Sequence, residues 1–153
     1  MTTAELLNQI KNVFANDTAI LSWCQDNFGK QHTVCLDIDE RHPPDPDVDY
    51  PVIVVTSIRQ ARGDSVRELT WDLEIGAGVK QENIETEGNT KVFTGFLQAE
   101  TLRELAENAL YKARIADIST NSETGAISFY PLFISGALIP IKQLKTNRRG
   151  MPG

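Results

Sequence analysis

The strongest apolar run of the chain lies within residues 49–58, DYPVIVVTSI. Consecutive β-branched residues, Val52–Val55, follow a Tyr-Pro pair there. Such a short run is typical of a strand buried on both faces. Pro51 suits the start of a strand because it has no N–H to donate. The pattern therefore predicts a central strand over Val52–Ile58, around which the rest of the chain packs.

Two further strands are predicted where apolar and polar positions alternate. The first covers His32–Ile38, and the second begins near Val66 and ends at Gly76–Gly78. The expected core positions are Val34, Leu36 and Ile38 in the first strand and Leu69, Trp71, Leu73 and Ile75 in the second. Because the second strand has a polar opposite face, we expect it to be antiparallel.

Three helices are predicted from apolar residues at helical spacing. Thr2 and Glu5 form a capping-box pattern, and the helix after them continues to about Ala15. A second short helix covers residues 18–28. The longest helix spans residues 98–114. Its expected buried face carries Leu102, Leu105, Ala106, Ala109, Leu110 and Ala113, and its exposed face carries Glu104, Asn108 and Lys112.

The remaining segments show weaker patterns. Residues 79–96 are polar without a sustained period, which predicts a long loop. Residues 126–134 alternate as one strand, with Pro131 at a sheet edge or a bulge. Residues 138–141 form a last extended piece.

These elements predict an α+β fold in which helices pack on one face of a mixed, mostly antiparallel sheet. We expect residues 1–146 to form a single domain and residues 147–153 to be a flexible C-terminal tail. The composition, with 41% hydrophobic and 24% charged residues among 153, is that of a folded domain.

Charge and chain features narrow the function classes. A net charge of −6 argues against a nucleic-acid surface, because phosphate binding needs clustered cations. No apolar run approaches the roughly 20 residues that span a bilayer, and the N-terminus does not have a signal-peptide pattern. Cys24 and Cys35 are too few and too far apart for a disulfide scaffold or a zinc site, which favours a reducing cytoplasm.

The densest polar cluster is the acidic loop between the first two strands. Asp45, Asp47 and Asp49 occupy the first positions of a calcium-loop spacing, but Tyr50 stands where that loop needs glycine and Thr56 where it needs glutamate. No metal or cofactor is therefore expected. His42 and the nearby carboxylates leave open the alternative of a small hydrolase, although no catalytic motif accompanies them.

The C-terminal segment has the opposite charge. Between Lys142 and Arg149 the chain carries four cations and no acid. A charged terminus is often only a mobile end. Alternatively, acidic and basic patches on one chain let copies assemble head to tail. The candidate assembly interface comprises Asp45, Asp47, Asp49, Lys145, Arg148 and Arg149.

The order of these elements resembles that of the tail terminator proteins of long-tailed bacteriophages, the group that includes the lambda terminator. The likeness covers most of the chain. It lies in an N-terminal helix, an acidic Pro-rich loop, the phrase Tyr50–Val55, an alanine-rich helix and C-terminal strands. The second helix at 18–28 and the segment 79–96 depart from the lambda-like form, so no interface residue is transferred from the family.

The resemblance implies a subunit of a hexameric ring that caps the finished tail tube and presents a surface to the head. Its partners would be other copies of itself and the tail-tube and head-joining proteins, without nucleic acid or membrane. It would work without catalysis or cofactor, in the cytoplasm of the bacterial host and in the virion tail. Another neck or tail component, or a protein-binding adaptor that forms no ring, stays the alternative.

Overall fold

A computed structural model describes residues 2–62, 68–115, 117–118 and 123–144 of the chain. The helices are α1 (Thr3–Asn16), α2 (Thr18–Phe28) and α3 (Thr94–Ala113). The strands are β1 (Thr33–Leu36), β2 (Val52–Arg62), β3 (Glu68–Lys80), β4 (Ile84–Glu87), β5 (Thr90–Phe93), β6 (Asp117–Ile118), β7 (Glu123–Phe129) and β8 (Leu132–Leu144).

The two N-terminal helices form as predicted because their ends are capped by side chains. Thr2 Oγ1 accepts the Glu5 amide at 3.1 Å, and Glu5 Oε2 accepts the Thr2 amide at 3.2 Å, which completes the capping box. Asp17 ends α1 and caps α2, since its Oδ2 accepts the Ile20 amide at 3.0 Å. Gly29 then ends α2 in the left-handed conformation, with φ of 70°.

Within the described residues, six strands form one mixed sheet. β1 and β2 pair in parallel, whereas β2, β3 and β8 follow one another antiparallel. The other edge of β8 pairs with β7 along its first half and with β6 near its end. The buried residues of all three helices join one face of this sheet in a single core, which confirms the predicted α+β class.

The predicted central strand is correct in its first half and too short in its second. Val52–Val55 are buried on both faces of the sheet, and the strand continues past Ile58 to Arg62. β1 is shorter than predicted, because Asp37 adopts a positive φ of 69° and turns the chain away after Leu36. Leu36 and Ile38, expected in the core, are 40% and 38% exposed.

The expectation that β3 ends at Gly76–Gly78 is wrong. The strand runs through these glycines to Lys80. They serve packing, because a Cβ on Gly78 would lie 3.0 Å from the Tyr50 ring and one on Gly76 would lie 3.3 Å from Val54. The missing side chains make room for the outer face of β2.

The predicted loop at 79–96 is also wrong, since most of it is a hairpin. β4 and β5 pair antiparallel around Gly88, whose φ is +60°. α3 then begins at Thr94, four residues before the predicted start at 98. The hairpin escaped prediction because nearly all its residues are exposed, and its apolar positions therefore follow no simple period.

The predicted strand at 126–134 is in fact two strands. β7 ends at Phe129, the chain turns at Tyr130–Pro131, and β8 runs from Leu132 through the predicted last piece at 138–141. Alternation continues across the turn in the sequence, so the pattern gives no sign of the reversal. The segment 147–153 lies outside the described residues.

α3 covers the centre of the sheet with the face predicted for it. Leu102, Ala106, Ala109 and Leu110 are buried there. Leu105 is only partly buried and Ala113 is exposed, because these two positions lie at the margin of the contact. No helix in the described ranges is long and apolar enough to cross a membrane.

Candidate interaction surfaces

The acidic loop contains a compact turn, residues 45–49, which we call the acidic turn. Asp45 Oδ1 accepts the Asp47 amide at 2.9 Å, and the Asp45 carbonyl accepts the Asp49 amide at 2.7 Å. Asp49 Oδ2 accepts the Asp45 amide at 2.8 Å. The three predicted interface carboxylates therefore lie together, although two of them already accept hydrogen bonds within the turn.

Two lysines attach the acidic turn to the body of the protein. Lys80, at the end of β3, forms an ion pair with Asp47, and Lys30 Nζ donates to the Val48 carbonyl at 2.5 Å. Hydrogen bonding to Lys80, and then its charge, lowers the pKa of Asp47, and the same contacts raise the pKa of Lys80. The Val48 side chain stays 64% exposed at the tip. The acidic turn therefore has a defined hydrogen-bonded conformation, and its tip faces solvent.

His42 stands in solvent beside one carboxylate. Its Nδ1 lies 3.0 Å from Asp39 Oδ2, and these side chains are 82% and 60% exposed. The hydrogen bond with His42, and then that from the Arg41 amide, lowers the pKa of Asp39. Among the described residues, no group of three or more His, Cys, Asp or Glu side chains could hold a metal ion. This arrangement gives the hydrolase alternative no support.

The other histidine and the two cysteines are placed for packing. His32 is buried, and its Nε2 lies 2.6 Å from the Phe14 carbonyl near the end of α1. Cys24 is fully buried, which raises its pKa to about 12. Cys35 on β1 is half-buried, and burial together with the charge of Asp49 raises its pKa. Both cysteines are free thiols.

The predicted assembly interface also includes basic residues of the C-terminal segment. Lys145, Arg148 and Arg149 lie outside the described residues. Lys142 lies within β8, opposite Thr70 of β3. The pairing of acidic and basic patches between copies therefore stays a prediction.

An exposed apolar surface, absent from the sequence-based prediction, lies where the β4–β5 hairpin meets α3. We call it the apolar corner: Val92, Phe93, Phe96 and Leu97. Three of these side chains are between 37% and 54% exposed, and the fourth, Phe93, is half-buried. A hollow of about 370 Å³ opens between the hairpin and the first turn of α3. Grouped apolar side chains of this kind mark contact sites for other macromolecules.

The apolar corner packs against the end of the sheet through Phe93. Phe93 packs its ring against Tyr130 at 5.8 Å and against Phe133 at 6.2 Å, measured between ring centroids. Tyr130 Oη donates to the Glu82 carbonyl at 3.0 Å. Gly95 lies directly over Phe133, where any Cβ would overlap the ring. The end of the hairpin and the start of α3 therefore pack against the turn between β7 and β8 and the start of β8.

A buried arginine whose role was not predicted from the sequence links α3 to β8. Arg103 Nε donates to Ser135 Oγ at 3.1 Å, and Nη2 lies 3.1 Å from Glu100 Oε2. Nη1 donates to Glu107. The Ser135 side chain is fully buried, and Arg103 is only 7% exposed. Its chemistry is that of a structural clamp.

Two sequence signals could have revealed these features. Gly88-Asn89 separates two short segments that each contain β-branched residues, which is a hairpin signal. Arg103 directly follows Leu102 beside the apolar stripe of a helix, with glutamates three residues before it and four after it. Nothing near Arg103 in the sequence indicates that Ser135 is its partner, because Ser135 lies on β8, far away in the sequence.

The chain was compared with protein-family models and with curated proteins. It matches no family model, and no curated protein matches it.

Proposed function

We propose that this protein is an assembly subunit of a long-tailed bacteriophage or prophage, a tail terminator that caps the tail tube as a ring. Its partners are other copies of itself, the tube and the head-joining proteins. In this role it works in the bacterial cytoplasm and then in the virion tail. It performs no catalysis and needs no cofactor.

The apolar corner is the observation that carries the proposal. Leu97 and Phe96 are 54% and 42% exposed in the first turn of α3, directly after Phe93, whose ring packs against Tyr130. Exposed apolar groups beside a packed aromatic cluster are suited to a surface that is covered on assembly. The hairpin, together with the acidic turn, gives the subunit two projecting contact surfaces.

The specific choice of a tail terminator rests on the order of the elements. An N-terminal helix, the acidic loop, the Tyr50–Val55 phrase and the alanine-rich α3 follow one another in the chain as the resemblance requires. The helices cover one sheet face and leave the loops and hairpin free at its ends.

Capping of tail tubes tests the proposal. Purified protein is added to growing tubes of the tail-tube protein from the same genome, and tube ends and lengths are examined by negative-stain electron microscopy. We expect a ring at one tube end and an early stop to elongation. Leu97→Asp should reduce capping, because it places a charge in the contact, whereas Tyr111→Asp, at an exposed site elsewhere on α3, should not.

The outcomes separate the two candidate roles. Unbound protein and unchanged tube lengths would contradict the terminator role. Binding along tubes or to a neck protein, without a ring, would favour the alternative of a tail component or adaptor.

A further inference from the structure

The outer edge of β2 has no neighbouring strand over its second half. β1 pairs with Val52–Val55 and ends there, and among the described strands none takes its place beside residues 57–62. We call this stretch the free edge. An unpaired strand edge is a template for another strand, and folded proteins usually cover or disrupt it.

The ladder shows which backbone groups the free edge offers. The Pro51 carbonyl accepts the Thr33 amide at 2.9 Å, and the Val55 carbonyl accepts the Asp37 amide, just after β1, at 2.7 Å. The backbone groups of odd-numbered residues from 51 to 55 therefore point to this outer edge. The bulge between Val55 and Ser57 shifts the alternation by one. After the bulge, the N–H and C=O groups of Ser57, Arg59 and residue 61 point toward β3. Those of Ile58 and Gln60 point toward the free edge.

The two sides of the free edge differ in chemistry. On the helix side, a hollow of about 260 Å³ is lined by apolar side chains and by three polar residues: Leu7, Leu36, Val55 and Ile58, with Asp37, Thr56 and Ser57. On the opposite side stands Arg59, whose side chain is 79% exposed and lies 3.6 Å from Asp72. An added strand would therefore need an apolar residue on one face and an acid on the other.

β4 has this pattern. In its register with β5, Ile84 and Thr86 lie on one face of the hairpin, and Glu85 and Glu87 lie on the other. All four residues are exposed. β5 occupies one edge of β4, and the described strands leave the other edge unpaired.

We propose that β4 of one copy adds antiparallel to the free edge of β2 in a second copy, with Thr86 opposite Ile58 and Ile84 opposite Gln60. Glu85 then lies opposite Arg59, and Ile84 lies on the helix side, diagonal to Ile58. An antiparallel register is favoured because the Asn83 carbonyl accepts the Thr94 amide, so Ile84 and Thr86 direct their backbone groups to the open edge of the hairpin, as Ile58 and Gln60 do to the free edge of β2. The backbone ladder supplies affinity, and the alternate side chains supply specificity.

The contact has to join two copies. The hairpin is tied to the far side of β3, since the Gln81 amide donates to the Pro131 carbonyl at 2.9 Å. Ile58 lies opposite Leu73, roughly 23 Å along β3 from Lys80 at about 3.3 Å per residue. Because hairpin and free edge are different surfaces, repeated contacts run head to tail, which closes into a ring if the rotation permits. The inference rests on the proposed ring and names its subunit contact.

Self-association of matched variants tests the inference by sedimentation velocity at several concentrations. Ile84→Asp should raise the dissociation constant roughly tenfold or more, whereas Tyr111→Asp, at an exposed site on α3 outside both contacts, should leave it unchanged. Glu85→Arg with Glu87→Arg should weaken association at low salt, and adding Arg59→Glu should restore it. Circular dichroism establishes that each variant is folded.

Cross-linking provides a measurement that does not depend on weakened variants. In a Cys35→Ser background, Ser57→Cys with Glu87→Cys should form disulfide-linked multimers on mild oxidation, while either substitution alone should not. If wild-type rings form but no multimers are linked and Ile84→Asp still assembles, strand addition is wrong and the ring survives. Wild-type protein that stays monomeric, both free and with tubes, would overturn strand addition and ring together.

Discussion

Arg103 of α3 donates through Nε to Ser135 of β8 at 3.1 Å, within the buried layer between helix and sheet. The same serine hydroxyl donates to Glu100 at 2.6 Å. Arg103 is only 7% exposed, and its other nitrogens contact Glu100 and Glu107. One strand residue thus contacts two helix residues, and Arg103 in turn contacts Glu107, which helps to set the position of α3 over the sheet.

Removal of this arginine should destabilise the fold. Arg103→Ala leaves Glu100 and Glu107 without their cation and Ser135 without a donor, and we expect a loss of about 3 kcal/mol in the free energy of unfolding. Urea denaturation followed by circular dichroism measures it. Glu104→Gln is the matched control, because Glu104 is 66% exposed, and it should change stability by less than about 0.5 kcal/mol. Equal effects would contradict the clamp.

The clamp should also make stability depend on pH. The hydrogen bond from Ser135, and then the hydrogen bond and charge of Arg103, hold the pKa of Glu100 below its ordinary value. A carboxyl whose pKa is lower in the folded state stabilises the fold above the unfolded pKa. That contribution is lost as pH falls through the folded pKa.

The expected stability difference between wild type and Glu100→Gln is therefore largest above about pH 5 and shrinks below about pH 4. Urea unfolding at a series of pH values measures it. A difference that stays constant down to pH 3 would show that Glu100 acts through packing alone.

The loss of unfolding free energy on truncating a leucine of α3 should follow how deeply that leucine is buried. Leu102 is fully buried, and Leu102→Ala should cost about 2–5 kcal/mol of unfolding free energy. Leu105 is only partly buried, so Leu105→Ala should cost about 1–2 kcal/mol. Leu97→Ala, at an exposed site, should cost less than about 0.5 kcal/mol. A larger loss at Leu105 than at Leu102 would mean that the helix faces are assigned wrongly.

The two thiols should react at different rates. Cys24 is fully buried with its pKa raised to about 12, while Cys35 is half-buried. A chromogenic disulfide reagent at pH 8 should modify one thiol in the folded protein and the second only in urea. Cys35→Ser should abolish the folded-state reaction. Rapid reaction of both thiols in the folded protein would contradict the packing of α2.

The predictable parts of the fold carry local signals. The Thr2–Glu5 capping box and Gly29 define their helix ends through neighbouring residues, and the structure has both as predicted. Val52–Val55 needed only a run of β-branched residues to be recognised as a buried strand. These signals lie within a few positions of the element they specify.

The unpredicted parts depend on distant contacts. The reversal at Tyr130–Pro131 is invisible in a pattern that alternates on both sides of it. In the sequence Gly78 looks like the end of a strand. In the structure it lies within β3, and its missing side chain leaves room for the Tyr50 ring. The length of β1 is set by the left-handed conformation of Asp37, which opens the free edge of β2.

The candidate surfaces divide in the same way. The acidic turn was visible as three aspartates, but its attachment to Lys80 was not, because Lys80 lies on another strand. The apolar corner depends on Phe93 meeting Tyr130 and Phe133 across the fold. Projecting surfaces of this kind become recognisable only once the sheet order is known.

The mass of the assembled species tests the central claim most directly. The subunit of 17.0 kDa should convert, at high concentration or on tail tubes, to one closed species with the mass of a hexamer. Sedimentation velocity with electron microscopy of the same sample measures both mass and shape. A single ring species is the predicted result. A species that stays at the monomer mass at every concentration, and does not bind tubes, would contradict the account.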